Sequence, residues 1–231
     1  MPDKSAFDHL VERQVRNWEL AQSQKSAKLS PADRTIFGFI SISHSVGLPT
    51  AEMASRIGEQ LGWPVFDREI LHEMAGNDEY RERVYQHMDQ RDLGWLEEVL
   101  LGLIAPAFAR NDYFHNLVTT VLSIARRCHV IFVGHATDMI LPRDYGLRVR
   151  LVATREFCTK AHSRKHGMTE DLAAKEIAKL ADERSQFVRN HFHLDPGEQS
   201  RHDLIVNMER FSVDDALALI LAAVRARDIE D

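Results

Sequence analysis

The chain has few of the features that mark secreted, membrane-spanning or nucleic-acid-binding proteins. It contains only two cysteines in 231 residues, Cys128 and Cys158, so it is not a disulfide scaffold. Its apolar runs are broken within about ten residues, whereas a membrane-spanning helix needs about 20. The net charge of −6 argues against general nucleic-acid binding, because phosphate contacts need clustered lysine and arginine. No signal-like start, solenoid repeat or low-complexity tract is visible, so we expect a reduced cytoplasmic protein with no nucleic-acid or membrane partner.

What the chain does contain is typical of a globular domain. Hydrophobic residues make up 44% and charged residues 28% of the sequence. A chain of this length buries roughly 70 to 75% of its unfolded surface, so its core needs no metal or disulfide. The acidic excess is local, because nine acidic residues face three arginines between Glu69 and Glu98. We therefore expect one main domain, with a possible appendage.

The N-terminal segment carries the pattern of an amphipathic helix. Between Phe7 and Gln24 its apolar residues recur every three to four positions, as they do on one helix face. A polar stretch with Ser30 and Pro31 follows, which predicts a helix and linker over residues 1–34 and a main domain over 35–231. The helix face either packs on its own domain or contacts a partner or a second copy, and the sequence leaves both open.

The main domain alternates between strand and helix patterns. Strands are predicted at 35–43, 64–66, 129–133, 147–153 and 203–207, and helices at 50–61, 69–127 with interruptions, 155–166, 169–191 and 212–227. Such alternation implies a parallel sheet covered on both faces. The predicted fold class is a three-layer α/β fold with a five-stranded parallel sheet, whose ligand site lies at the carboxyl ends of the strands.

The first strand, its loop and the next helix form a candidate phosphate site. The stretch Ser43 to Glu52 reads SHSVGLPTAE, and a strand, a glycine loop and a helix N-terminus together suit a phosphate group. A P-loop, however, reads GxxxxGK[ST], and the lysine is absent here. Gly47 gives one flexible position, while Pro49 removes one backbone donor. A phosphate site and an ordinary helix start both remain open at this point.

Several modest motifs in order resemble the cytidylate kinase-like family, a branch of the P-loop nucleoside monophosphate kinases. That family runs S-R-E-Y-G-S-G-G-R-E and then G-x-P-x-Y-D-x-E-L, where this chain has SHSVGLPTAE and GWPVFDREI, the latter from Gly62 to Ile70. The family's V-G-R-G-A resembles VGHA at 133–136, and its Y-D-L-V-I-N resembles HDLIVN at 202–207. The resemblance spans residues 35–227 and implies a P-loop kinase-like fold with a helical acceptor insertion at about 69–127 and a lid at about 155–193.

The resemblance also implies an activity and a site. Members transfer the γ-phosphoryl group of ATP, with Mg²⁺, to a nucleoside monophosphate, and a pyrimidine acceptor is expected. Catalysis in this class is positioning plus neutralisation of phosphate charge. The resemblance assigns roles as follows: ATP contacts at Ser43, His44, Ser45, Gly47, Thr50 and Ala51; acceptor contacts at Asp67, Gly134, His135 and Arg189; and catalytic roles, including a possible Mg²⁺ contact, at Asp67 and Arg184, the lid arginine. No dedicated metal site is expected, and His191, His193 and His202 are interpreted as surface histidines.

The chain departs from the family pattern where positive charge is needed. His44 and His135 replace two arginines with imidazoles that are largely neutral at pH 7. Leu48 and Pro49 stand where small residues are usual and should crowd a phosphate. Whether the chain is an active enzyme is therefore open, and the alternative is a catalytically degenerate kinase-fold protein that senses nucleotides or binds a partner. Apolar helical stripes at 95–104 and 117–124 fit either core or a homodimer surface.

Overall fold

The computed structural model describes residues 4–25, 36–85, 112–134 and 136–229. In chain order the elements are α1 (Lys4–Lys25), β1 (Phe39–His44), α2 (Thr50–Leu61), β2 (Val65–Phe66), α3 (Arg68–Gly76), α4 (Asp78–Tyr85), α5 (Asp112–Ala125), β3 (Val130–Val133), α6 (Thr137–Ile140), a 3-10 turn (Arg143–Tyr145), β4 (Gly146–Val152), α7 (Arg155–His166), α8 (Glu170–Phe192), β5 (Leu204–Asn207) and α9 (Val213–Ala226). His135, the apolar stripe at 95–104 and the acidic tract beyond residue 85 lie outside the described residues.

The five strands form one parallel sheet. Its order is β2-β3-β1-β4-β5, so the strand that leads into the glycine loop is central. Phe39 pairs with Val130 of β3 on one side, and Ser43 pairs with Arg150 of β4 on the other. Parallel pairing throughout confirms the predicted α/β fold class.

Each face of the sheet carries its own hydrophobic core. Because successive side chains of a strand point to opposite faces, Phe39 and Phe132 join the core beneath α1, α3 and α5. Ile40 and Ile131 join the second core, beneath α2 and α9. The sheet is thus the middle of three layers, as predicted.

The N-terminal helix α1 packs on the same domain. Its apolar residues Val11, Val15 and Trp18 are fully buried, and the Trp18 Nε1–H donates to the Ile124 carbonyl at 3.3 Å. Leu117 and its apolar neighbours on α5 belong to the same core. The buried residues of α1 and the apolar stripe at 117–124 are therefore covered by the chain itself, and a homodimer stays a prediction.

Charge contacts hold α1 to the insertion. Arg83 of α4 contacts the Glu12 carboxylate at 2.8 Å and the Glu19 carboxylate at 2.9 Å. Within the described ranges, no helix is long and apolar enough to cross a membrane.

Candidate functional site: a cleft lined by arginines

A cleft of about 700 Å³ opens at the carboxyl edge of the sheet. Its floor is the end of β1, from Ser43 to Ser45, together with Gly134 after β3. The helix α8 of the predicted lid covers one side through Arg184, and His202, just before β5, lies on another side. The cleft occupies the place where doubly wound folds bind ligands.

Five arginines line this cleft, and we call it the arginine cleft. They are Arg68 at the start of α3, Arg150 on β4, Arg155 at the start of α7, Arg184 on α8 and Arg201 before β5. Within the described part of the chain, none of the five forms an ion pair with a carboxylate. Guanidinium groups brought together without direct carboxylate partners favour an anionic ligand, since they bind carboxylates and phosphates in bidentate fashion.

Burial and mutual repulsion both destabilise the charged form of these arginines. Burial lowers the pKa of Arg184, and the nearby Arg68 lowers it further. Burial also lowers the pKa of Arg150, against the opposing attraction of Asp138. Arginine nevertheless stays protonated in proteins. Phosphate oxygens bound between these arginines would offset the electrostatic repulsion between them.

The end of β1 is tied to neighbouring strands through Ser43. The Ser43 hydroxyl lies 3.0 Å from Nε2 of His202 and accepts a 3.4 Å hydrogen bond from Nη1 of Arg150. The contact to Arg150 follows from the sheet register, which pairs these two residues. A permanent cation from β4 thus stands beside the position where His44 has replaced the family's arginine.

His44 is held neutral at this site. Burial, followed by the positive charge of Arg184, lowers the pKa of His44 to about 4. Its Nδ1 lies 3.1 Å from the Ser45 carbonyl, and its own carbonyl accepts a 3.3 Å hydrogen bond from Arg184. His44 therefore positions the lid arginine but adds no positive charge near pH 7.

The loop after β1 is packed against the lid helices. Gly47 has φ +96°, and a Cβ atom built there would lie 2.8 Å from the Cys158 carbonyl of α7 and 3.0 Å from Cδ1 of Ile177 on α8. The backbone N–H groups of Ser45, Leu48 and Thr50 donate within the protein, to Leu151, Ser45 and Leu48 respectively. Gly47, Thr50 and Ala51 do not line the cleft, whereas Ser43, His44 and Ser45 do.

The remaining predicted site residues are divided between the cleft and its surroundings. Gly134 lines the cleft with φ +75°, and its N–H donates to Ile42 at 2.9 Å. Asp67 caps α3, where its Oδ1 accepts from the Ile70 N–H at 2.9 Å, and burial raises its pKa. Asp67 and Arg189 do not line the cleft, and Arg189 is exposed on α8.

Sequence reasoning gave no site role to four of the five cleft arginines or to the cleft histidine; these missed residues are Arg68, Arg150, Arg155, Arg201 and His202. His202 was interpreted as a surface histidine, but its side chain is only 2% exposed, because it packs against Ser43 and Asp138. One signal was available for Arg150. Strands of a parallel sheet read as continuous apolar runs, so a charge within GLRVRLV was unusual. Both cysteines, Cys128 and Cys158, are buried.

Comparisons with known proteins agree with this fold. The model of the cytidylate kinase-like family matches residues 39–210. An uncharacterized protein from Eubacterium ventriosum has a similar structure, with a TM-score of 0.65 at 17% identity, covering 84% of this chain and 99% of that one. A dephospho-CoA kinase from Campylobacter jejuni has a TM-score of 0.37 at 10% identity, covering 82% of this chain and 96% of that one. No curated protein matches the chain by sequence.

The matched region contains all five strands, the Ser43 to Ser45 floor, the lid helices and the five arginines of the cleft. It makes up well over half of the chain. The chain is a nucleotide kinase-like protein and belongs to the cytidylate kinase-like family.

Proposed function

We propose that this protein binds a nucleotide, and that the arginine cleft holds the nucleotide's phosphate groups. The observation that carries the proposal is the set of five guanidinium groups without carboxylate partners in the described structure. Arg68 and Arg184, which we call the lid-side pair, approach each other from α3 and α8. A cytoplasmic protein is part of the proposal, since the chain has only two cysteines in 231 residues.

ATP with Mg²⁺ is the proposed nucleotide. The cleft suits polyphosphate because, within the described residues, its five arginines form no ion pair with a carboxylate. Among the described residues, no three His, Cys, Asp or Glu side chains are grouped so as to hold a metal ion. This fits Mg²⁺ carried by a nucleotide, because such an ion usually binds substrate phosphates, water and only one or two carboxylates. Asp67 remains the sequence-based candidate for Mg²⁺ or acceptor contact, although its Oδ1 caps α3.

The second candidate function is transfer of the γ-phosphoryl group of ATP to a pyrimidine nucleoside monophosphate. Family membership and the lid arginine Arg184 favour it. The glycine loop favours slow transfer or none, because three of its N–H groups are engaged within the protein and Pro49 has none. Glu52, in the first turn of α2, also places a negative charge at the helix end that would face a phosphate.

Calorimetric titration of ADP into the protein and two variants tests the binding proposal. Arg184→Gln should weaken ADP binding about tenfold to a hundredfold, since a hydrogen bond to a charged group is worth about 1.5 to 3 kcal/mol. Lys175→Gln is the matched control, because it removes one positive charge from the same helix outside the cleft. Equal weakening by both variants, or no binding at millimolar ADP, would refute the proposal.

A turnover assay separates the two functions. The unmodified protein is incubated with ATP, Mg²⁺ and a panel of nucleoside monophosphates, and ADP release is followed. Transfer predicts ADP release only with the right acceptor. A rise in melting temperature with ATP, but no turnover with any acceptor, would leave a nucleotide-sensing or partner-binding role.

A further inference from the structure

The turn that precedes β5 brings a guanidinium group and an imidazole to the far side of the arginine cleft. Arg201 and His202 both line the cleft, next to Arg150 of β4. The turn is fixed, since the His202 N–H donates to the Gln199 carbonyl at 3.0 Å and the Arg201 Nη2 donates to the Asp195 carbonyl at 2.5 Å. Its residues are therefore positioned before any ligand arrives.

Two nitrogen atoms on this side of the cleft lack hydrogen-bond partners among the described residues. Nε of Arg201 and Nδ1 of His202 are buried without a hydrogen-bond partner in the described structure. Buried polar atoms in proteins are nearly always paired, so two unpaired nitrogens on adjacent residues of one cleft wall need an explanation. A ligand that supplies several acceptor oxygens would provide one.

The charges around His202 come from three elements. Asp138 of α6 lies 3.7 Å from its Nε2, Arg150 of β4 approaches through Ser43, and Arg201 is its neighbour in the turn. Burial lowers the pKa of His202, Asp138 opposes that effect, and Arg150 and Arg201 add to it. The imidazole is thus neutral at pH 7 beside two cations, and an added anion would favour its protonated form.

We propose that Arg150, Arg201 and His202 form a second phosphate-binding subsite, the β5-side subsite, and that His202 takes up a proton from solvent when a phosphoryl group binds there. The proposal rests on the proposed nucleotide binding and deepens it. The bound nucleotide or nucleotides then place phosphoryl groups at two positions, one at the lid-side pair and one at the β5-side subsite. The second group is either the phosphomonoester of an acceptor or the far end of a polyphosphate chain.

Variants of the full-length protein test the subsite. A nucleoside monophosphate and a nucleoside triphosphate are titrated separately into the protein and its Arg201→Gln and Arg225→Gln variants. Arg225→Gln is the matched control, because it removes an arginine from the last turn of α9 outside the cleft. Arg201→Gln should weaken one probe about tenfold to a hundredfold and the other much less, and the probe affected identifies the source of the phosphoryl group.

Proton uptake tests His202 in the unmodified protein and in His202→Gln, which retains a donor near Ser43 but does not titrate. Calorimetry at pH 7 in two buffers of different ionisation enthalpy gives the protons taken up on binding. Subtracting the His202→Gln value cancels protons released or bound by the nucleotide itself. We expect the uptake to fall in the variant, and ¹⁵N NMR of the unmodified protein to show His202 become an imidazolium with nucleotide.

The possible failures are distinguishable. Nucleotide binding with equal effects of Arg201→Gln and Arg225→Gln overturns the subsite and leaves the proposed function standing. Nucleotide binding with the same proton uptake in His202→Gln and a neutral His202 by NMR overturns the role of His202. Absence of nucleotide binding in the unmodified protein overturns the proposed function, and this proposal with it.

Discussion

Replacing Gly47 with alanine should destabilise the protein through its contact with the lid. The residue has φ +96°, and a new Cβ atom would lie 2.8 Å from the Cys158 carbonyl, which belongs to the backbone of α7 and cannot rotate away. A positive φ costs a non-glycine residue about 1 to 2 kcal/mol. Overpacking adds about 1 to 3 kcal/mol. We expect Gly47→Ala to lower the free energy of unfolding by about 2 to 5 kcal/mol.

Gly62→Ala separates the two contributions. Gly62 ends α2 with φ +67°, but a Cβ atom there would meet nothing within 4 Å. The Gly62→Ala variant should therefore lose only the free energy that a positive φ costs a non-glycine residue. The measurement is urea unfolding of both variants followed by circular dichroism. The contact between the loop and the lid predicts that Gly47→Ala is the less stable by at least about 1 kcal/mol, or about 2 to 4 °C in Tm.

Equal stabilities of the two variants would refute the reasoning. That result would mean that the loop does not lie against Cys158 and Ile177 in solution. The backbone N–H groups of the loop would then be free to turn towards a phosphate, as the P-loop resemblance implies. The same comparison therefore reports on whether the glycine loop is closed or open to an anion.

Three further measurements test the fold and the electrostatics. Burial lowers the pKa of His44 to about 4, whereas histidine in the unfolded chain titrates near 6.5, so stability is intact above pH 6.5 and is lost as the pH falls towards 4. His44 should contribute about 2 kcal/mol to the stability lost between pH 7 and 5, so His44→Gln should reduce the loss by that amount, whereas the exposed His9→Gln should not. Trp18→Phe breaks the bond to the Ile124 carbonyl and should cost about 1 to 3 kcal/mol in urea unfolding; a smaller loss would contradict the docking of α1. Ser212→Ala removes the capping box of α9 and should cost about 1 kcal/mol by thermal unfolding, while Ser212→Thr keeps most of it; equal losses would contradict the cap.

Local signals predicted most of the secondary structure. The helix predicted at 50–61 is found at those bounds, and Gly62 ends it in the left-handed conformation that favours glycine. The strand predicted from Thr35 begins only at Phe39, because residues 36–38 are apolar but precede the sheet ladder. Periodicity reports which side chains are apolar and not where pairing begins.

The site was only partly predictable, for a different reason. Ser43, His44, Ser45, Gly134 and Arg184 were identified because they match motifs of the cytidylate kinase-like family. The convergence of Arg150 and Arg201 depends on sheet register and on a turn that joins residues far apart in sequence. No local sequence pattern predicts that these two residues lie close together, and the resemblance to the family did not predict it either.

The sign of the charge differs between the cleft and the molecule as a whole. Five arginines converge on one cavity, although the chain has a net charge of −6, so the remainder of the chain is more acidic still. A long polyanion such as DNA would meet repulsion over most of its length. A small metabolite with phosphate oxygens would instead contact only the positively charged cavity and would not face the acidic remainder of the surface. This charge distribution should favour small anions over long ones, and the preference should weaken as added salt screens both fields.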